Sequence, residues 1–401
     1  KEEENTPVSY LLLIINQPEN EYHKQELKYI NARGALMKFS INQSELQNAL
    51  SICAKGSSTR STLSILAGVY LRADEGSITL QTTNLELSIK VTCPALVEEK
   101  GESVVPAKLF LDIVKNLPDM AVRIEADDAT AVVFCDTTTF SLKALNPLDF
   151  PAFPEVKAQQ EAQFPFSTFS TMVKRTAKVV SHDETRAILT GVLVSCVGTE
   201  LKMVATDSYR LAVTETQLDQ PCPEEFEAVI AGTFLSDIAA LPQSDQPITL
   251  ALSENQIIVT YQDTTFINRR IEGTFPNYKQ LIADGFTTRA TLSTHALSDA
   301  VRRVSLLSNK VSPVQVKVDA DSGVVTLVAS SQDIGNAQEN LICEIEGESV
   351  DIAFNYSFLL DGLNSIDTDA VHLDLFGPMK PGILRATEGE NFLYLIMPVR
   401  V

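Results

Sequence analysis

The chain has 401 residues, of which 44% are hydrophobic, and its 52 acidic residues against 32 Lys and Arg give a formal net charge of −20. This length exceeds what one hydrophobic core normally serves. No apolar run approaches the 18 residues that suggest a membrane span, and the charge argues against a uniformly basic nucleic-acid-binding surface. A local basic face remains compatible with it, because exposed charges are screened beyond roughly 8 Å at physiological salt.

Residues 1–36 precede the periodic part of the sequence, which begins at Met37. They lack the basic region and the small-residue cleavage site of a signal peptide. We expect an N-terminal extension that is disordered or non-native. The six cysteines have no paired short spacing and lie mostly in apolar, strand-like segments. We therefore expect buried free thiols in a reducing cytoplasm rather than disulfides.

From Met37 onward the sequence contains three copies of one repeating unit. It predicts a helix near the start of each copy. In the first copy Leu46, Ala49, Leu50 and Cys53 follow the spacing of one helical stripe, and Ser44 is the expected N-cap. The corresponding segments of the second and third copies are 172–180 and 297–307.

A second amphipathic segment recurs at 110–118, 234–242 and 358–366, and each copy is followed by alternating apolar and polar residues. The spacing between successive copies of this segment is far longer than a solenoid repeat, so each copy of the repeating unit is a domain. We predict an α+β fold of three tandem domains, each with two helices packed on antiparallel sheets of about eight strands. Pro-rich stretches separate the copies. The predicted domains are 37–156, 163–284 and 287–401.

The sequence contains no recognisable set of catalytic residues. Its four histidines are not spaced for a metal, and it has no phosphate-binding glycine loop and no nucleophile elbow. His182 with its two acidic neighbours reads as an exposed turn, and Asp207 as a turn residue that accepts backbone hydrogen bonds. We therefore predict no metal, no cofactor and no catalytic residue.

Basic residues recur at the same phase of each copy, on or just after the first helix. In isolation such residues form a solvated helix face. Repeated across copies, they become candidates for contacts with backbone phosphates, which carry no sequence information. Few aromatic residues lie between these basic residues, so base stacking is not expected. The candidate DNA-facing residues are Arg60, Lys174, Arg175, Lys178, Arg186 and Arg302.

Four motifs carry a resemblance to a known family: Val204-Ala-Thr-Asp-Ser-Tyr-Arg-Leu-Ala212, Gly273-Thr-Phe-Pro-Asn-Tyr278, Gly377-Pro-Met-Lys-Pro-Gly382 and Tyr394-Leu-Ile-Met-Pro-Val-Arg400. With the threefold repeat, they make the chain from Met37 to Val401 resemble the bacterial DNA polymerase III β subunits, the replicative sliding clamps. The resemblance implies a non-catalytic processivity factor. Two chains would close head to tail into a ring of six domains around double-stranded DNA, with helices lining the hole.

The resemblance also implies a pocket between the second and third domains that takes a short peptide with a Gln and apolar anchors. Its partners would be the DNA polymerase III alpha subunit, the clamp loader and other proteins with that motif. Tyr209, where the family often has His, suggests an altered peptide preference. A C-terminal strand core is the alternative for Met397 and Pro398. The matching positions are Leu189, Thr206, Tyr209, Arg210, Leu211, Pro276, Leu281, Met379, Pro381, Met397, Pro398, Val399 and Arg400.

For the ring seam, the resemblance implies Phe140 and Leu142 on one side and Leu306 and Leu307 on the other. Phe140 and Leu142 fall on one face of a predicted strand, as an edge-pairing seam requires. Burial in the core of their own domain is the alternative for each of these residues.

Two other classes of function compete with a clamp. One is an enzyme with an unrecognised site, which the missing set of catalytic residues disfavours. The other is a repeat-built adhesion or scaffold protein whose acidic surface meets only protein.

Overall fold

The computed structural model describes residues 37–58, 61–308, 313–331, 335–389 and 391–400. The extension at 1–36 and the candidate Arg60 lie outside the described residues. The chain divides into two compact units. The first unit holds residues up to Gln159 together with 248–269, and the second holds 160–247 and 270–401.

Each copy contributes two α-helices to the described part of the chain, as predicted. They are α1 (Gln43–Cys53), α2 (Ala107–Lys115), α3 (Phe166–Thr176), α4 (Gly232–Ala239), α5 (Thr294–Val304) and α6 (Tyr356–Leu363). The two helices of each copy pack against each other. The predicted stripe of α1 is buried throughout.

The predicted N-cap of α1 at Ser44 is wrong, because the helix begins at Gln43 and its N-cap is Asn42, two residues earlier. The amide side chain of Gln43 donates to the carbonyl of Val114 at 2.6 Å. Its backbone N–H donates to the carbonyl of Met120 at 2.9 Å. Two contacts distant in sequence thus satisfy Gln43 inside the first turn, where a capping hydroxyl was expected.

The strands follow the copies. The first copy has β1 (Met37–Asn42), β2 (Gly68–Asp74), β3 (Ser77–Thr83), β4 (Leu87–Pro94), β5 (Leu96–Glu99), β6 (Gly101–Pro106), β7 (Ala121–Ala126), β8 (Thr130–Cys135) and β9 (Thr138–Lys143). The second has β10 (Gln160–Pro165), β11 (Gly191–Val197), β12 (Glu200–Thr206), β13 (Arg210–Gln217), β14 (Phe226–Ala231), β15 (Pro247–Leu252), β16 (Gln256–Tyr261) and β17 (Thr264–Arg269). The third has β18 (Thr288–Ser293), β19 (Val314–Asp319), β20 (Val324–Ser331), β21 (Gly335–Ile342), β22 (Glu344–Gly347), β23 (Val350–Phe354), β24 (Ala370–Leu375), β25 (Gly382–Ala386) and β26 (Phe392–Ile396).

In the first unit, one sheet has the order β5-β1-β7-β8-β9, with β9 at its edge. In another, strands of this unit follow in the order β15-β16-β17-β4-β3-β2-β6. Antiparallel pairing of β17 with β4, from Thr264 opposite Val91 to Asn268 opposite Leu87, joins the two copies in this sheet. Residues 248–269 therefore belong to the first unit although they come from the second copy.

In the second unit, a nine-stranded sheet has the order β14-β11-β12-β13-β26-β25-β24-β18-β22. β13 of the second copy pairs antiparallel with β26 of the third, from Arg210 opposite Ile396 to Thr214 opposite Phe392. Helix α6 lies against one face of this sheet, because a Cβ at Gly362 would come within 2.5 Å of the Tyr394 ring. A four-stranded sheet, β21-β20-β19-β23, ends at β21.

No helix among the described residues is long and apolar enough to cross a membrane. Nor does this part of the chain contain a group of three or more His, Cys, Asp or Glu side chains placed to hold a metal ion.

The expectation of free thiols is wrong for two cysteines. Cys196 at the end of β11 and Cys222 form a disulfide, with Cα atoms 6.4 Å apart. The other four cysteines, which include buried Cys53 and half-buried Cys343, are free as expected. The loop around Cys222 is also tied by its N–H, which donates to the Gly198 carbonyl at 2.8 Å. This hydrogen bond helps to bring the two thiols together. The spacing of the cysteines in the sequence could not reveal it.

We expect reduction of the Cys196–Cys222 bond to lower the free energy of unfolding by roughly 2–4 kcal/mol, because the bond restrains a loop in the unfolded chain. The separation of the two cysteines is 26 residues. Denaturant midpoints with and without dithiothreitol measure the effect, and non-reducing peptide mapping detects the bond. Cys343→Ser should keep the full response to reductant, whereas Cys222→Ser should abolish it. Identical midpoints and no cross-linked peptide in the unmodified chain would contradict this expectation.

Candidate functional site

A continuous apolar cluster lies on one face of the nine-stranded sheet, where the second and third copies meet. Leu211 lies opposite Leu395, and Val213 opposite Leu393, across the β13–β26 pair. Further strands extend the cluster on both sides. Its buried members are Leu193, Val204, Leu211, Val213, Val229, Tyr278, Ile383, Leu393 and Leu395, and its half-buried members are Ile188, Ile271, Phe275, Ile282, Phe376 and Met397.

Sequence reasoning found only part of this cluster. It singled out Leu211 and Met397, but not the residues beneath them. A signal was present, since β26 is apolar at every position, in contrast to strands with one solvated face. Helices cover one face, so the apolar residues of the other face need a second covering layer.

Part of that layer is the segment from Ile271 to Ile282. The N–H of Ile271 donates to the Val229 carbonyl at 3.0 Å, which anchors the segment to β14. Gly273 has φ 125°, a conformation that favours glycine. The rings of Phe275 and Tyr278 then meet edge to face at 6.4 Å, with Tyr278 buried in the cluster. The predicted Gly-Thr-Phe-Pro-Asn-Tyr motif is therefore a cover over the sheet.

The C-terminal residues form another side of the cluster. The N–H of Met397 donates to the Tyr209 carbonyl at 2.8 Å, and that of Val399 to the Ala353 carbonyl at 2.8 Å. These bonds fix the half-buried Met397 side chain against the cluster. The structure thus favours a position beside an apolar surface over the alternative of a fully buried strand core for Met397.

The other predicted pocket residues fall into three groups by exposure. Leu189, Thr206, Arg210 and Leu211 are buried, and Pro381, Pro398 and Val399 are half-buried. Tyr209, Pro276, Leu281, Met379 and Arg400 are exposed. Large exposed apolar side chains such as Tyr209, Leu281 and Met379 are the residue types found at recognition surfaces.

The turn before β13 is built by side chains. The Thr206 hydroxyl donates to the Arg210 carbonyl at 2.7 Å and accepts from the Ser208 N–H. Asp207 accepts from the N–H groups of Tyr209 and Arg210, at 2.9 and 3.0 Å. Asp207 is therefore the turn residue that the sequence predicted. The turn leaves Tyr209 62% exposed.

Arg210 points away from the apolar cluster, to the helix face of the sheet. Its Nε donates to Asp207 at 2.9 Å, and Nη1 donates to Asp361 at 2.5 Å and to the Tyr394 hydroxyl at 3.2 Å. Nη2 donates to the Lys178 carbonyl at 3.0 Å. Burial raises the pKa of Tyr394, so its hydroxyl stays protonated at neutral pH. These contacts hold the Arg210 side chain on the face opposite the apolar cluster.

The first unit contains the same turn before β4, formed by Thr83–Leu87. Asn84 accepts from the N–H groups of Glu86 and Leu87, and Thr83 accepts from Leu85, which has φ 77°. The strand after this turn differs in chemistry. The positions matching Leu211 and Val213 are Ser88 and Lys90, and Lys90 lies opposite Thr265 on β17. Ile267 lies opposite Ser88. Two copies of one local geometry therefore carry an apolar surface in one unit and a largely polar one in the other.

The basic candidates of the second copy do not form the single exposed face that was predicted. Lys174 is exposed. Arg175 instead donates to Asp367 at 3.0 Å and lies over the Phe392 ring at 5.4 Å. Lys178 follows the end of α3 in a 3₁₀ turn, and its burial lowers its pKa. Helical spacing could not anticipate that Asp367 of the third copy would pair with Arg175.

Arg186 and Arg302 are exposed, but both donate hydrogen bonds to neighbouring side chains. Arg186 donates to Asp183 at 3.1 Å and to Ser208 at 3.0 Å. Arg302 donates to Asp299 at 3.1 Å and to Asn364 at 3.0 Å. Contacts of either arginine with phosphate would have to share or replace these partners.

The predicted seam residues lie at or beside sheet edges. On the edge strand β9, Phe140 is 37% exposed while Leu142 is buried. Leu306 is 80% exposed in the 3₁₀ turn after α5, next to edge strand β21, and Leu307 is half-buried. Ile342, at the end of β21, is 90% exposed and was not predicted. Burial in its own unit, the alternative weighed from sequence, holds for Leu142 and not for Phe140 or Leu306.

Comparison with known proteins gives a consistent assignment along the chain. Models of the N-terminal, central and C-terminal domains of the DNA polymerase III beta subunit match residues 37–154, 163–277 and 279–400. A curated beta sliding clamp from Staphylococcus epidermidis is 31% identical over 376 residues, which are 91% of this chain and all of that protein.

Solved structures agree with the sequence comparison. The DNA polymerase sliding clamp from Bacillus subtilis superposes with a TM-score of 0.86 at 27% identity, over 92% of this chain and all of that one. A sliding clamp from Pseudomonas aeruginosa bound to griselimycin gives 0.86 at 26% identity, with the same coverage.

Proposed function

The chain belongs to the DNA polymerase III beta subunit family, that of the bacterial beta sliding clamps, and on that premise we propose that two copies join head to tail into a ring around duplex DNA. As a member of this family the chain is a DNA sliding clamp that acts in DNA replication, and it is not itself an enzyme. The predicted α+β fold of tandem clamp domains is confirmed.

In the proposed mode of action, partners bind at the apolar cluster between the second and third copies. The observation that carries this proposal is the cluster itself with its half-buried members Met397 and Ile282. The carbonyl of the exposed Tyr209 accepts the Met397 N–H, and the exposed Leu281 precedes Ile282 in the chain. A short peptide would bury a few apolar anchors there, and such anchors dominate binding energy at small interfaces. The adaptable thioether of Met397 suits several ligands. We propose the polymerase alpha subunit and the clamp loader as partners.

The ring seam is proposed to pair edge strand β9 of one chain with the four-stranded sheet of another. Unpaired edges are templates for strand addition, and exposed Phe140, Leu306 and Ile342 supply apolar area at the two edges. A head-to-tail contact that closes after two chains gives a ring rather than a fibre.

Proposed DNA contact is weak and independent of sequence. Lys174 is exposed, and the exposed guanidinium groups of Arg186 and Arg302 are partly satisfied by their own neighbours. A clamp held by topology does not need a strong phosphate grip, and such a grip would slow sliding. The net charge of −20 is consistent with that weak contact.

Because the proposed ring encircles DNA, the protein should stay only on DNA that has no free ends. After loading onto nicked circular DNA by a clamp loader with ATP, we expect the protein to co-elute with DNA in gel filtration. Linearising the circle should release it. Retention on linear DNA with free ends would instead indicate ordinary affinity binding, and a protein that stays monomeric and never remains on the circle would exclude a clamp.

We expect Phe140→Arg to weaken association of the two chains by tenfold or more, because it places a charge in a proposed apolar seam. Sedimentation equilibrium over a concentration series measures the dimer dissociation constant. Leu148→Arg is the matched control, since Leu148 is 89% exposed in the same unit but lies outside β9. An equal loss of association in both variants, or none in Phe140→Arg, would argue against this seam.

Met397→Ala should weaken binding of a fluorescent Gln-Ala-Ala-Leu-Phe peptide by roughly 1–3 kcal/mol, the range for losing an interface anchor. Fluorescence anisotropy gives the dissociation constant. Met120→Ala is the matched control, because Met120 is 41% exposed in the first unit. Unchanged affinity in Met397→Ala, with the unmodified chain binding normally, would place the peptide elsewhere.

A further inference from the structure

We infer that Arg210 is a positioning residue, which holds the two sides of the proposed peptide site together from the opposite face of the sheet without touching the peptide. This inference rests on the proposed function, since it assigns a role within the same site. It also differs from the expectation that Arg210 lines the peptide pocket.

The first support is the geometry of the guanidinium group. Arg210 belongs to β13 of the second copy, and it bonds Asp361 of α6 and Tyr394 of β26, both in the third copy. Its plane also lies over the Phe358 ring of α6, with 4.3 Å from the carbon to the ring centroid. One side chain therefore ties a strand of the second copy to a helix and a strand of the third.

The second support is the position of Arg210 in the chain. Its neighbour Leu211 lies in the apolar cluster, and the carbonyl of Tyr209 accepts the N–H of Met397. A shift of Arg210 would therefore move a buried member of the cluster and loosen Met397. The side chain itself is only 8% exposed, with its donors already used on the helix face.

The third support is a comparison within the chain. The turn of the first unit is built in the same way, but its fifth position is Leu87, which is buried. The local fold therefore does not require a cation there. Buried ion pairs are often no better for stability than apolar residues of similar size. Arginine occurs at the junction whose other face carries the apolar cluster, where the exact placement of two strands matters for binding.

The test measures peptide affinity in the full chain. Arg210→Gln and Asp361→Asn should each raise the dissociation constant of the fluorescent Gln-Ala-Ala-Leu-Phe peptide about tenfold. Asp361 lies on the helix face and its side chain is 39% exposed, so its substitution tests the network even if Arg210→Gln does not fold. The double variant should lose no more than about tenfold, because both changes break one network.

A second peptide, Ala-Ala-Ala-Leu-Phe, separates positioning from contact. If Arg210 does not touch the peptide, Arg210→Gln should weaken both peptides by the same factor. Loss of the effect with the Ala peptide would show that Arg210 contacts the glutamine, which overturns the inference. Unchanged affinity in Asp361→Asn would overturn it as well.

Hydrogen exchange separates positioning from general destabilisation. In Arg210→Gln the amide of Met397 should exchange faster, while amides of β12 keep their protection. A uniform rise across the second unit would reduce Arg210 to a structural role and overturn the inference.

Arg289→Gln is the matched control. Arg289 also forms a two-pronged ion pair, with Asp374 at 2.6 and 2.8 Å, and lies over the Phe286 ring at 4.2 Å, in the same nine-stranded sheet. This variant should keep the peptide dissociation constant within twofold, and a tenfold loss would contradict a role specific to Arg210. Failure of the unmodified chain to bind either peptide would refute the proposed site rather than the role of Arg210.

Discussion

The antiparallel pairing of β13 with β26 is the interaction on which the second unit depends. It joins strands from two copies into one nine-stranded sheet. Because side chains alternate between the faces of a strand, one register places Leu211 with Leu395 on one face and Arg210 with Tyr394 on the other. A slip of one residue would exchange these faces and would destroy both the apolar cluster and the ion-pair network at once.

The two faces solve different problems with neighbouring residues. On the helix face, a buried cation is tolerated because Asp207, Asp361 and a backbone carbonyl satisfy it. On the other face, the half-buried Met397 packs against the buried apolar side chains of the cluster. A polar network on one face and an adaptable apolar surface on the other suit the proposed site, which would accept several related peptides.

Much of this could be predicted from sequence, but only where the information is local. The helical stripe of α1, the Asp207 turn and the threefold repeat depend on nearby residues, and the structure has them as expected. The disulfide of Cys196 with Cys222 and the pairing of Arg175 with Asp367 were missed, because their partners are distant in sequence. The same holds for Arg210, whose direction is decided by an acid 151 residues away. Spacing identifies a side chain's neighbours along a helix or strand, but not those across a sheet.

The matching turns before β4 and β13 have a consequence for stoichiometry. At the first of these junctions Ser88, Lys90 and Thr265 stand where the second has Leu211, Val213 and Leu393, and Ile267 alone of these four positions stays apolar. The number of repeats therefore overstates the number of proposed peptide sites. With one proposed site in the described part of each chain, the proposed ring of two chains would be bivalent. Two different proteins could then occupy one ring, and a waiting protein would be held at a high effective concentration beside the DNA when the other leaves. Three polar side chains would thereby set how many enzymes compete for a single clamp.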